Sequence, residues 1–240
     1  MKSVLVIVSC YNEEGRIGAV IRGARQALPR ADLVVIDDGS TDGSAREVAE
    51  TGTRLLSHPC NLGAGAASET GYLYARRAGY DVLLQLDGDG QHPPQQLPEL
   101  LAPIERDEAD LVIGSRYLRS EDHRKTPLVR KTGHRFFAGL VRVLTGRSIL
   151  DPTSGFRGLN RRALDLFADG VYPYDYPDSD VILMAHLSGL RILEIPAHME
   201  ERDGGTSMHS GLKPLYYGFK MLLSIFIVLL NWQQSPRRRD

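Results

Sequence analysis

Along the chain, short apolar runs alternate with longer stretches in which apolar positions recur every three or four residues. The runs Val4 to Ser9, Leu33 to Ile36, Arg54 to Ser57, Val82 to Leu86, Leu111 to Gly114 and Arg191 to Ile195 are strand-length and rich in Val, Ile and Leu. Runs of that kind predict strands buried on both faces. Between them, Glu13 to Leu28 carries Ile17, Val20, Ile21 and Ala24 on one helical face. Helices are also expected from Thr41 or Asp42, as cap, to about Glu50, over Ala64 to Ala78, and from Pro94 onward. Strands alternating with helices predict βαβ units, hence an α/β fold with a mostly parallel sheet.

The second half is less regular. Val129 to Leu144 has the pattern of an amphipathic helix, and "SGFRGLNRRALDLF" reads as a strand or turn leading into a helix. Asp178 to Leu187 looks helical, and Pro214 to Trp232 is apolar on nearly every face, interrupted by Lys220, Ser224 and Asn231. The expected organisation is one α/β domain over 1–211, followed over 212–240 by an apolar helix and a basic tail.

Composition narrows the classes. The 240 residues are 42% hydrophobic, enough for a sizeable core, and the net charge is -1. Without a basic excess, a nucleic-acid partner is not expected. Cys10 and Cys60 have no metal-site spacing and read as reduced thiols. The N-terminal stretch has Lys2 and an apolar run, as a signal peptide has. That run ends in Asn12-Glu13-Glu14 without a small-residue cleavage pattern, so a first strand is expected instead.

The candidate chemistry lies where the runs end. Val82 to Leu86 stops at Asp87-Gly88-Asp89-Gly90-Gln91. Ligands of parallel α/β sheets bind at the carboxyl ends of strands. Carboxylates at i and i+2 of an extended segment share a face and repel unless a cation lies between them. Mg²⁺ takes one or two carboxylates together with substrate phosphates, and Gln91 can add a carbonyl oxygen. Taken alone, such a pair is an ordinary turn with solvated acids. A calcium loop does not fit, because the twelfth position from Asp87 is Pro98 and a strand precedes it. Other predicted strand ends carry "SCYNEE", "DDGSTDGS" and the glycine-rich "NLGAGAASETG". Neither a dinucleotide fingerprint nor a Walker A loop is present. An edge with these features suits a metal-bound nucleoside diphosphate better than a dehydrogenase cofactor.

In order along residues 4 to 210, the motifs "YNEE", "DDGSTDGS", "NLGAGAA", "LDGDGQHPP", "GSRY", "DPTSGFRGLNR" and "ERDGGTS" together resemble the family 2 glycosyltransferases. Within the family they resemble the branch of dolichyl-phosphate mannosyltransferase and bacterial polyprenyl-phosphate glycosyltransferases. The resemblance implies a GT-A fold, a nucleotide-diphosphate sugar donor, a Mg²⁺ or Mn²⁺ ion and inverting displacement at the anomeric carbon. It puts Tyr11 and Glu13 in the nucleoside pocket and Asp37 on the base, with Asp38 and Gly63 nearby. Asp87, Asp89 and Gln91 become the metal site. Arg116, Ser154, Arg157 and Arg202 approach phosphates, and Arg130 matches an acceptor-phosphate arginine. Ser9-Cys10 stands where the family usually has proline before "YNEE", which leaves the base open. The Q-x-x-R-W motif of processive synthases is missing, so processive synthesis is not expected.

A hydroxyl acceptor needs a general base, for which Asp178 or Asp180 is the candidate, although either could instead cap the helix that follows. A phosphate acceptor needs no base but requires cations, which Arg116 and Arg130 could supply. The resemblance favours polyprenyl phosphate at the inner face of the cytoplasmic membrane. A soluble transferase acting on a hydroxyl and an inactive nucleotide-sugar-binding subunit are the alternatives. Pro214 to Trp232 is expected to lie in the membrane surface, with Trp232 at the interface and Arg237, Arg238 and Arg239 meeting anionic lipid. Burial in a homo-oligomer interface is the competing expectation for that segment.

Overall fold

The computed structural model describes residues 2–118, 128–170, 172–173, 178–199 and 213–234, of which 128–135, 213–217 and 233–234 are described by backbone alone. Seven strands form one sheet in the order β3-β2-β1-β4-β6-β5-β7. They are β1 (Val4–Cys10), β2 (Asp32–Asp37), β3 (Arg54–Ser57), β4 (Val82–Asp87), β5 (Leu111–Ser115), β6 (Arg157–Asn160) and β7 (Ile192–Pro196). All neighbouring pairs are parallel except those of β6, which runs antiparallel to both β4 and β5. The expected α/β architecture with a mostly parallel sheet is therefore present.

The helices are α1 (Ile17–Ala27), α2 (Ser44–Glu50), α3 (Ala64–Ala78), α4 (Leu97–Glu105), α5 (Leu128–Thr145), α6 (Arg161–Phe167), α7 (Ser179–Leu187) and α8 (Lys213–Gln234). A short 3-10 turn, Pro94–Gln96, leads into α4. Strand alternation divides the core. Leu5 and Ile7 of β1 pack with Tyr72 of α3, Leu164 of α6 and Ile182 of α7. Val6 and Val8 point the other way, to Ile17 and Ile21 of α1 and Leu100 of α4. Both sets are buried, which is why these strands read as unbroken apolar runs rather than as alternation. Each such Leu or Ile contributes about 1.5–3 kcal/mol, and truncating one to alanine costs about 2–5 kcal/mol. Helix α3 lies so close to β1 that a Cβ on Gly71 would come within 2.6 Å of Ile7.

The expected helix from Glu13 begins four residues later, at Ile17. Asn12 and Gly15 take positive φ of 55° and 84°, which stops a helix from extending back through them. Their segment instead bonds to the loop after β2, described below. The four expected face residues of α1 are all buried. Helix α8 joins the body through Met221 and Ile225, which pack with Phe137 of α5 and Leu183 of α7. No helix among the described residues is long and apolar enough to cross a membrane.

Candidate active site

The parallel strands all end on one edge of the sheet. Because β6 runs the other way, its beginning lies on that same edge, with Arg157 opposite Gln85 of β4 and Ile113 of β5. The loops after β1, β2, β4 and β5 and the loop before β6 thus meet there.

The first two of these loops are cross-bonded. Asn12 N–H donates to Ser40 Oγ at 2.9 Å, Thr41 N–H to Asn12 Oδ1 at 2.8 Å and Glu13 N–H to Ser44 Oγ at 2.8 Å. Asp42 accepts from Ser44 N–H at 2.9 Å and from Glu14 N–H at 3.1 Å. Tyr11 stands exposed at the rim, while Glu13 is buried and paired with Arg16 at 3.0 Å. Asp37 ends β2 and accepts from Ser40 N–H at 3.1 Å. Gly39 lets this loop touch the next one, since a Cβ there would sit 2.5 Å from the Cys60 carbonyl carbon.

Asp38 departs from its expected role as a donor contact. Its Oδ1 receives Leu62 N–H at 2.9 Å and lies 2.8 Å from His58 Nδ1, and its Oδ2 receives Gly63 N–H at 2.9 Å. At 3% exposure it is a loop organiser rather than a binding surface. It fixes the glycine-rich turn in which Gly63 adopts a φ of 101° just before α3.

Asp87 and Asp89 follow β4. The Gly88 between them is sterically required, because a Cβ would come within 2.9 Å of both Ile17 Cδ1 and Ser9 O. Asp89 turns the chain by accepting Gln91 N–H at 3.0 Å, and Gly90 has a φ of 76°. Behind Asp87 lies the loop before β6, where a Cβ on Gly155 would stand 2.7 Å from Asp87 Oδ2. Burial, then the charge of Asp89, pushes the Asp87 carboxyl up to about 7, against the opposing pull of Arg157 and Arg116. A divalent cation relieves that repulsion, and a donor set of two carboxylates and an amide is hard oxygen throughout, so these residues fit Mg²⁺ or Mn²⁺. Among the described residues no group of three or more His, Cys, Asp or Glu could hold a metal ion. The remaining coordination would fall to phosphates and water.

The arginines occupy different ground from that expected. Arg116 grips Asp151, with Nε–Oδ2 and Nη2–Oδ1 both at 2.6 Å, and Nη2 also donates to Thr153 Oγ1 at 2.7 Å. Asp151 is fully buried, and its own N–H is held by Glu194 at 2.7 Å. Asp151 was not singled out in the sequence, although its place at the head of "DPTSGFR" was the available signal. Arg157 is 2% exposed and donates to Ser154 O at 2.7 Å and to Tyr172 Oη at 3.3 Å. It acts on Asp87 through its charge from below, not as an open phosphate ligand. Ser154 is likewise buried, and its Oγ accepts Phe156 N–H at 3.2 Å.

Asp180 does not stand open to an acceptor as the expected general base would. It is wholly buried, Oδ1 accepts from Asp178 N–H at 2.9 Å and Val181 N–H at 2.8 Å, and Oδ2 accepts from Ser224 Oγ. Burial raises its pKa. It ties the first turn of α7 to α8. Asp178 precedes α7 without a side-chain cap bond, and its charge bears on Arg116 and Arg157. The side chain of Arg130, and Arg202, Arg237, Arg238 and Arg239 entirely, lie outside the described residues.

Residues 5–167 match the model of glycosyl transferase family 2. The chain belongs to that family. This glycosyltransferase is 34% identical over 216 residues to the undecaprenyl-phosphate mannosyltransferase of Micrococcus luteus, covering 87% of this chain and 88% of that protein. It is 32% identical to the polyprenol monophosphomannose synthase of Mycolicibacterium smegmatis over 86% of this chain and 81% of that one. Among solved structures, the glucosyl-3-phosphoglycerate synthase of Mycobacterium tuberculosis in complex with Mn²⁺ and UDP-glucose superposes on the transferase with a TM-score of 0.71 at 21% identity. That match covers 93% of this chain and 79% of the other. The likeness identifies the fold as GT-A.

Proposed function

We propose that this glycosyltransferase moves a sugar, with inversion, from a nucleotide-diphosphate sugar to the phosphate of a polyprenyl phosphate. The observation that carries the reading is the kinship over most of the chain with enzymes named for that acceptor. Two features of the molecule support it. Asp180 is sealed in the core, whereas a phosphate acceptor is already anionic and needs no base. Helix α8 also exposes a row of large apolar side chains, among them Phe219, Leu222, Phe226 and Ile227, which suits contact with lipid.

In this reading Tyr11, Glu13 and Asp37 form the nucleoside end of the cleft. Asp87, Asp89 and Gln91 hold Mg²⁺ or Mn²⁺, which when bound neutralises charge gathering on the departing diphosphate. Arg157 keeps a fixed positive charge beneath Asp87, and Asp38 holds the Gly63 turn for close approach to the donor. Arg116, braced by Asp151, supplies positive charge for the acceptor phosphate, and Arg130 is the second cation for it. Arg202 assists the leaving group. The reaction takes place at the inner face of the cytoplasmic membrane, with α8 in peripheral contact.

The test supplies labelled nucleotide sugars and Mn²⁺ with undecaprenyl or dolichyl phosphate and follows label into the organic phase. Label entering a water-soluble glycan instead would favour a hydroxyl acceptor. Binding of donor without turnover on either acceptor would favour a non-catalytic subunit.

A further inference from the structure

Among the described residues, the buried side-chain polar atoms without a hydrogen-bond partner belong to Ser9, His92, Ser115 and Ser179. None is scattered in the core. Ser9 is opposite Asp87 in the sheet, His92 follows Gln91, Ser115 precedes Arg116 and Ser179 follows Asp178. His92 is the most unusual of them. It is 2% exposed, and both its ring nitrogens lack partners. Its ring stacks on Phe156, centroids 5.1 Å apart and planes 13° from parallel. A phenylalanine would fill that stack without burying two unsatisfied nitrogens, which costs stability. The stack alone therefore gives no reason for histidine.

Its position suggests one. In the sheet order, the nucleoside end belongs to β1 and β2 and the cation site to β4, while Phe156, Arg116 and Asp151 lie over β6 and β5. With the diphosphate held at Asp87 and Asp89 as proposed above, the sugar of a donor whose base lies over β1 and β2 would fall toward that far side, where His92 follows Gln91. A neutral imidazole offers one N–H and one lone pair. That suits a hydroxyl, which both donates and accepts, whereas a phosphate is better served by cations.

We infer that His92 is a sugar-reading residue, whose ring nitrogens hydrogen-bond a hydroxyl of the donor's glycosyl group. The inference rests on the assignment of the diphosphate to Asp87 and Asp89, but not on the identity of the acceptor.

The experiment measures, in Mn²⁺, the affinity of the full chain for GDP-mannose against GDP and for UDP-glucose against UDP. The pair with the larger sugar-dependent gain in wild type is then repeated with His92→Phe and His92→Gln. His92→Phe keeps the stack, so its melting temperature without ligand should equal or exceed that of wild type. Its affinity for the sugar nucleotide should fall about tenfold with the bare diphosphate unaffected. His92→Gln, which restores a donor and an acceptor, should recover part of the loss. Equal weakening toward diphosphate and sugar nucleotide would make His92 structural and overturn the assignment. So would a wild-type chain that gains nothing from the sugar, or a His92→Phe defect confined to polyprenyl-phosphate KM. Failure of lipid-phosphate transfer would sink the proposed function while leaving this affinity difference intact.

Discussion

At the residue scale, the site is decided by which acids are free and which are already engaged. Asp87 and Asp89 are crowded, with no salt-bridge partner among the described residues, and that crowding is what makes a cation favourable. Asp89→Ala should lower turnover about 10²-fold or more, and EDTA should abolish wild-type activity until Mn²⁺ or Mg²⁺ is restored. Initial rates measured with each addition check this, and undiminished turnover in the variant would remove the metal assignment. Asp180 makes the opposite case. An asparagine there still accepts from the α7 backbone through Oδ1 while its Nδ2 donates to Ser224 Oγ, so Asp180→Asn should stay within about threefold of wild type. Loss of a general base would cost about 10²–10⁴-fold, so a severe, well-folded Asp180→Asn would turn the reading toward a hydroxyl acceptor. The acids that face the cation were legible in the sequence because a D-x-D after an apolar run carries its own spacing. Asp38, Asp151 and Asp180 were not distinguishable from them. What separates the groups is who donates to each carboxylate, and those donors lie far away in the chain: Gly63 for Asp38, Arg116 for Asp151, Ser224 for Asp180.

At the element scale, the far half of the sheet hangs on Asp110, just before β5. Its carboxylate receives Asn160 Nδ2 at 2.7 Å, Arg191 N–H at 2.8 Å and Arg191 Nη2 at 2.9 Å, and lies 3.3 Å from Arg162 Nη1. Asn160 ends β6 and also caps α6 by accepting Ala163 N–H at 3.0 Å, and Arg191 immediately precedes β7. One side chain thus clamps three strands and a helix cap. Burial raises the Asp110 carboxyl, but the Arg191 and Asn160 hydrogen bonds outweigh it and bring it down to about 2. A carboxylate depressed by folding adds stability above its unfolded pKa, near 4, and that gain disappears as the pH falls through 2. Because the Arg191 side chain is half exposed, screening trims the ionic part to on the order of 1 kcal/mol. Leaving the buried donors unmatched adds about 1–3 kcal/mol. Asp110→Ala should therefore lower the urea midpoint at pH 7, and its deficit relative to wild type should narrow between pH 4 and pH 2. A deficit that stays constant over that range would contradict the ionic role. The strands that Asp110 joins were visible as apolar runs, yet the direction of β6 was not. A four-residue strand such as Arg157–Asn160 has no periodicity that distinguishes parallel from antiparallel pairing. The same limit put the start of α1 too early, since the bonds that hold Asn12 to Gly15 out of the helix come from the loop after β2 and from α2.

At the scale of the whole molecule, the question is what covers α8. Met221 and Ile225 turn inward, while Phe219, Leu222, Leu223, Phe226, Ile227 and Leu230 form an exposed stripe on the opposite side. A contiguous apolar face of this kind marks a contact surface. The 22 residues of α8 would extend about 33 Å, but Lys220, Ser224 and Asn231 leave the helix short of the apolar content a crossing needs. A helix apolar on its outer face and anchored inward through Ser224 to Asp180 is built to lie along a surface. If the acceptor is the polyprenyl phosphate proposed above, that surface is the membrane, because the prenyl chain stays there. Phe226 is 56% exposed, so Phe226→Asp should leave the urea midpoint and the donor affinity unchanged. Removing one phenylalanine from a lipid contact forfeits about 1.5–3 kcal/mol, equivalent to about 10- to 100-fold in vesicle partitioning. Flotation with anionic liposomes should therefore drop sharply, and transfer to polyprenyl phosphate in vesicles should fall with it. If wild type fails to float and instead sediments as a dimer that Phe226→Asp converts to monomer, the stripe belongs to a second copy of the chain. The acceptor would then have to reach the site without help from α8.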